Sequence, residues 1–148
     1  MRTVQKDKTI IHCKRVFKHP IEKVFNAFLN SMHVKEWFGP KEITIGQVML
    51  SPVVGGNLDI EMITPTGILW VKGIFREIVL NKKISYTYHY VPDTTGFGES
   101  LVNFYFSGNE NGTEIELVQE IYKPINAEGK TKGWEGGFDK LEIFLEAV

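Results

Sequence analysis

Only one cysteine occurs in the chain, Cys13, which excludes an internal disulfide and any metal site built from several cysteines. An excess of one charge is missing too: 17 Lys and Arg stand against 18 Asp and Glu, for a net charge of −1. That balance leaves no electrostatic footprint for nucleic acid and no basic run for a membrane surface. No stretch approaches the roughly 18 consecutive apolar residues of a spanning helix, so no membrane insertion is expected. The opening residues, Met1-Arg-Thr-Val-Gln-Lys-Asp-Lys8, are charged and lack the apolar run of a signal peptide. The cytoplasm is the expected location. His12, His19, His33 and His89 show no metal-ligand spacing. No glycine-rich loop follows a strand and opens a helix as phosphate-binding loops do, and Gly55-Gly56 precedes a strand, where a bend or bulge accounts for it. Neither a metal nor a cofactor is expected, and no constellation identifies a reaction.

What is present is an ordinary globular composition, 43% hydrophobic and 24% charged over 148 residues. One domain spanning 1–148, with room for a proper core, is the expectation. The organising stretch is 132–148. There Trp134, Phe138, Leu141 and Leu145 fall at i, i+4, i+7 and i+11, one apolar stripe flanked by Gly137 and Phe144. Glu135, Asp139, Lys140, Glu142 and Glu146 lie mostly on the other side. Gly133, Gly136 and Gly137 let a backbone or a ligand come close to the first turns of this helix. Cys13 reads as a small core or interface thiol.

Before that helix the period is mostly two. A first strand over 8–18 places Ile11, Cys13, Arg15 and Phe17 on one side, and neither side is purely apolar, so an edge or half-exposed strand is expected. Pro20 suits a helix start, and Ile21, Val24, Phe25 and Phe28 space as a short helix ending near 29–30. A second short helical segment, 31–37, runs into Gly39-Pro40. Strands then follow over 42–50, 57–63, 68–80 (bent near Gly73), 84–90, 101–107 and 113–123. Gly108-Asn-Glu-Asn-Gly112 is of hairpin type. The 92–99 loop carries two glycines and its order is left open by the sequence, and 124–129 links to the last helix. Short connections imply an antiparallel meander, and the long helix is expected across its concave side in an α+β arrangement of about seven strands.

Several ordered motifs carry a family resemblance. His19-Pro-Ile-Glu-Lys-Val-Phe-Asn-Ala-Phe28, Trp37-Phe-Gly-Pro40, Gly55-Gly56, Gly73-Ile-Phe-Arg-Glu-Ile78, Ile84-Ser-Tyr-Thr-Tyr88, Gly112-Thr113, Gly133-Trp134 and Phe138-Asp-Lys-Leu141 resemble the activator of heat-shock protein 90 ATPase homologue-like family. The match runs from about Ile11 to Leu145. One departure is Gln119, where relatives are often expected to carry His. The resemblance implies membership of the START-like (SRPBCC) superfamily and its helix-grip fold, START/Bet v-like, with a curved sheet around the C-terminal helix and two short helices after the first strand. It also implies a large interior that side chains incompletely fill.

Trp37, Phe38, Phe75, Tyr86, Tyr88, Phe104, Phe106, Trp134 and Phe138 all fall on the interior side by period, as do Leu58, Ile60 and Met62. Core packing accounts for such residues, and so does an apolar pocket with a few polar groups. The hydroxyls of Tyr86 and Tyr88, the Trp134 indole and Gln119 can supply those groups. Three readings follow. The first is a binding protein for an apolar or amphipathic small molecule held between sheet and helix. The second follows from the family name, which points to chaperones and the stress response; surface charge of both signs makes at most a weak chaperone contact the expectation. The third is a cyclase or aromatase-like enzyme of the same superfamily. The oligomeric state is left open by the sequence.

Overall fold

The alternating segments become a seven-stranded antiparallel sheet in the computed structural model, which describes residues 8–148. The charged residues 1–7, read above for the lack of a signal peptide, lie outside the described residues. β1 (Thr9–Phe17) is followed by α1 (Ile21–Asn26) and α2 (Ser31–Trp37). Six strands come next, β2 (Thr44–Leu50), β3 (Asn57–Thr64), β4 (Gly67–Val79), β5 (Lys83–Val91), β6 (Ser100–Asn109) and β7 (Gly112–Ile121), and then α3 (Ala127–Ala147). The strands from β2 to β7 form a meander, and β1 joins its far end beside β7, giving the order β1-β7-β6-β5-β4-β3-β2. This is the expected α+β helix-grip arrangement, with β1 and β2 as the edges.

Edge position explains the mixed sides of β1. Ile11 and Phe17 are fully buried under the helix side, while Ile10 and Val16 on the other side are about half exposed, at 48% and 50%. Cys13 faces inward, where burial and then the nearby Glu135 push its thiol up to about 11, so it is a packed thiol rather than a thiolate.

The sheet bends where its pairing is irregular. One register shift falls between Ile45 and Val48, where Gln47 N–H, displaced from the ladder, donates to Glu61 Oε1 at 3.0 Å. Near Gly73, where a bend is expected, β4 and β5 approach closely. The Thr87 carbonyl of β5 occupies the space a Cβ at Gly73 would need, and Ile74 N–H turns to Thr87 Oγ1 at 2.9 Å. A register shift between Phe75 and Glu77 follows directly.

Two helix boundaries differ from the sequence expectation. The helix expected over 21–30 stops at Asn26 and continues as a turn, because Asn30 is used to start the next element. Asn30 Oδ1 accepts from Met32 N–H at 2.9 Å and His33 N–H at 3.3 Å, capping α2. The segment 124–129 is not all linker, since α3 begins at Ala127, where Asn126 Oδ1 accepts from Glu128 N–H at 3.0 Å.

The apolar stripe of α3 faces the sheet as expected: Trp134, Phe138, Leu141 and Leu145 are all buried. Its polar side is tied down by ions. Asp139 bridges Arg15 of β1 at 2.9 Å and Lys41 at 2.8 Å, and those cations, Lys41 first, hold its carboxyl below the usual carboxylate range. At the far end Lys23 of α1 donates to the Leu145 carbonyl at 2.7 Å, a cation where the helix dipole favours one.

Candidate functional site

Between the first turns of α3 and the sheet, the packing leaves a half-open pocket of about 100 Å³. Three parts of the chain build it. Gly129, Lys130, Gly133 and Trp134 come from α3, and Tyr88 and Tyr90 from β5 with Met62 from β3. Phe38, Gly39 and Pro40, which follow α2, form the remaining wall.

That third wall is fixed by the helix itself. Lys140 Nζ donates to the carbonyls of Phe38 at 2.9 Å and Pro40 at 3.2 Å. Burial lowers the Lys140 pKa, a desolvation cost offset by these two bonds. A Cβ at Gly137 would lie 3.3 Å from the Trp37 carbonyl oxygen, and one at Gly136 would lie 3.2 Å from the Lys41 nitrogen. These glycines therefore serve the close approach of a backbone segment, whereas Gly129 and Gly133 border the pocket.

Of the thirteen residues expected at a site, Phe38, Met62, Tyr88 and Trp134 line the pocket. The others are buried beside it and do not line it. Trp37 and Phe138 stack at 6.5 Å, Phe75 meets Tyr86 at 5.6 Å, and Phe104 meets Trp134 edge-on at 5.6 Å. Phe106 packs against Phe25 and Phe28, and Leu58 and Ile60 sit in the core beneath. Burial alone raises the Tyr86 pKa. The large interior implied by the family resemblance is thus mostly filled by aromatic rings.

Gln119 is buried too, and its polar groups are used within the protein. Trp134 Nε1–H donates to Gln119 Oε1 at 2.9 Å, Gln119 Nε2 donates to Ser100 Oγ at 3.0 Å, and Ser100 donates to the Tyr88 carbonyl at 3.0 Å. The chain locks the Trp134 ring in the plane that forms the pocket wall. Replacing Gln119 by Leu strands the buried indole N–H and should cost about 1–3 kcal/mol. In that background Trp134→Phe should cost clearly less than it does in the parent, a coupling that urea melts of the two single and one double variant measure. Strictly additive costs would mean the bond contributes nothing.

Four lining groups were not anticipated from sequence: Lys130, Tyr90, Gly129 and the Gly39-Pro40 turn. Lys130 Nζ donates to the Tyr90 hydroxyl and lies over three rings, 4.5 Å from the centroid of Tyr90, 5.1 Å from Phe97 and 5.4 Å from Tyr88. The Tyr88 and Tyr90 hydroxyls are 3.3 Å apart, and burial first, then the neighbouring Tyr90, raise the Tyr88 pKa well above its ordinary value. Phe97 comes from the 92–99 loop. There Asp93 accepts from the N–H groups of Gly96, Gly98 and Thr95 and from the Thr95 hydroxyl, and these bonds lower its pKa. The signal in sequence was the continuation of the tyrosine alternation from 86 and 88 to 90. Among the described residues no cluster of His, Cys, Asp and Glu can hold a metal ion, and no helix is long and apolar enough to cross a membrane.

A family model described as "Activator of Hsp90 ATPase homolog 1-like protein" matches residues 18–146. The chain is similar to a crystal structure from Chromobacterium violaceum, with a TM-score of 0.83 and 25% identity, covering 93% of this chain and 96% of that one. A second similar structure, from Rhizobium leguminosarum, has a TM-score of 0.82 at 24% identity, with coverage of 96% and 97%. The solution structure of an AHSA1-like protein from Aeromonas hydrophila has a TM-score of 0.76 at 18% identity, with coverage of 94% and 93%. No curated protein matches the chain.

Proposed function

The chain belongs to the activator of Hsp90 ATPase homolog 1-like family, and from that premise we propose that it is a binding protein for an apolar or amphipathic small molecule. The ligand sits between the sheet and the start of α3. The observation that carries this reading is the pocket itself, with apolar walls from Phe38, Met62 and Trp134 and a few polar groups converging at Tyr88, Tyr90 and Lys130. An apolar cavity of about 150 Å³ accepts benzene. A half-open pocket of about 100 Å³ is smaller than that, so it suits a short chain, or a ring or longer ligand that projects in part through the open side. No catalytic step is part of this reading. A chaperone contact ranks below it, because outward residues such as Asp59, Lys72, Arg76 and Glu114 mix both signs and offer no single charge field to a partner.

Toluene is a sufficient probe. Titrated into the labelled protein, it should shift the amides of Gly39, Tyr90, Gly129 and Gly133 saturably and leave the β1 edge unmoved. Gly133→Leu places a side chain at the pocket while improving helix propensity by roughly 1 kcal/mol, so it should abolish binding in a folded protein. Trp70→Ala is the control, since Trp70 lies on the outer side of β4 under Lys72, and it should leave the affinity unchanged. Absence of saturable shifts up to the solubility limit, or full binding by Gly133→Leu, would overturn the proposal.

A further inference from the structure

Among the described residues the pocket walls carry one charge, a cation, and no carboxylate. Two other lysines of the region find acids, Lys132 with Glu128 at 3.7 Å and Lys41 with Asp139 at 2.8 Å, while Lys140 donates to the Phe38 and Pro40 carbonyls. Lys130 makes no ion pair among the described residues, and it is half-buried instead against Tyr88, Tyr90 and Phe97. An ammonium offers three donors, and the Tyr90 hydroxyl accepts one of them. That hydroxyl also lies 3.3 Å from the Tyr88 hydroxyl, and with Tyr88 as the donor of that bond its own proton is free for a ligand. Lys130 and Tyr90 therefore present adjoining donors at one end of a space whose other walls are Phe38, Met62 and Trp134.

We propose that the ligand is a small apolar acid, a single-ring or short-chain monocarboxylate, whose carboxylate is held by Lys130 and Tyr90 while its apolar body lies against Trp134, Phe38 and Met62. The inference rests on the pocket reading above and adds the charge and polarity of the occupant. A carboxylate between an ammonium and a phenol gains charge-assisted hydrogen bonds, which are stronger than neutral ones. A cationic ligand meets a like charge already seated over the same three rings. A neutral ligand of the same shape fills the space but leaves the second and third Lys130 donors to water. Among the described residues only one cation lines the pocket, so a dianion gains little over a monoanion.

Three probes of nearly equal shape separate the cases: phenylacetate, phenylacetamide and phenethylamine, titrated into the full chain and followed by amide shifts at Gly39, Tyr90 and Gly133. Phenylacetate should bind about tenfold or more tightly than phenylacetamide, with phenethylamine weakest, and the preference should shrink as salt is raised. Lys130→Met keeps an unbranched apolar stem and removes the charge. It should bring phenylacetate down to the amide while leaving the amide within about twofold of its parent affinity. Tyr90→Phe should weaken phenylacetate alone, by a smaller factor. Equal binding of acid and amide, a preference that survives Lys130→Met, or tightest binding by phenethylamine would each overturn the inference. If toluene binds and the acid shows no advantage, the charge assignment alone fails; if neither toluene nor any of the three binds, the pocket reading fails with it.

Discussion

Phe138→Ala should lower the free energy of unfolding by about 3–5 kcal/mol, a large share of the roughly 5–15 kcal/mol that holds a domain of ordinary stability. The ring is 1% exposed and stands where three elements meet. It meets Phe17 of β1 edge-on at 6.0 Å, stacks on Trp37 of α2 at 6.5 Å, and carries the Arg15 guanidinium 6.0 Å from its centroid. Those neighbours are themselves large and locked, Trp37 by a 2.9 Å bond from its indole to the Ala27 carbonyl. The site therefore cannot collapse into the space, and the cavity cost adds to the lost burial. Ile143→Ala, one turn on and 72% exposed, should stay within about 0.5 kcal/mol. Urea melts with unchanged slope for both variants make the comparison, and a loss under about 1 kcal/mol for Phe138→Ala would show that α3 does not close the core.

Gly73→Ala should be costly for a different reason, with a loss of about 3 kcal/mol, the upper end for overpacked sites. Its Cβ would lie 1.8 Å from the Thr87 carbonyl oxygen and 2.8 Å from the carbonyl carbon, closer than the 3.0 Å that real Cβ contacts respect. Both atoms are backbone, so no rotamer change relieves the clash, and β5 must move away from β4. Tyr86, Tyr88 and Tyr90 move with it, so amide shifts should spread into the pocket as well as along the pair. Two other glycines calibrate the result. At Gly46 the added Cβ meets the Glu61 carboxylate, the end of a side chain that can swing aside. At Gly129 it meets nothing within 4 Å, and Ala there should stabilise α3 by up to about 1 kcal/mol. A Gly73→Ala protein that melts with the parent would mean the two strands do not approach as described.

The strands were legible because burial on one side writes a period of two into the residues themselves. In β7 the inward set, Thr113, Ile115, Leu117, Gln119 and Ile121, is buried at every position, while Glu114, Glu116, Val118 and Glu120 stay partly exposed. The helix stripe was legible for the same reason. The start of α3 was not, because Gly129 and Gly133 dilute the helical pattern and the capping Asn126 resembles a loop residue. Pocket and core were also indistinguishable by period, since Phe104 and Trp134 face the same interior and only packing decides which ring borders empty space. Lys130 and Tyr90 are 40 residues apart, and no local pattern pairs them. Gln119 faced inward by alternation, but that its partner would be Trp134 rather than a ligand depended on where α3 crosses the sheet.

The placement of β1 beside β7 also bears on how the chain reaches this structure. His12 and Glu116 meet at 2.6 Å although 104 residues separate them, and Arg15 and Glu142, 127 residues apart, meet at 3.2 Å. Pairings of such long range put folding on the slow side, in milliseconds to seconds for all-β-like topologies. During synthesis β1 emerges first and must wait, with Ile11 and Phe17 uncovered, until β7 and then α3 arrive. A β2–β7 meander can assemble hairpin by hairpin in the meantime, leaving the β7 edge open to the wrong partner in addition to that of β2. Val16, half exposed on β1, sits between Arg15 and Phe17 and is preceded by Lys14. Lys14 and Arg15 thus put two cations on the waiting strand, and charge on an unpaired strand disfavours pairing with a second nascent copy.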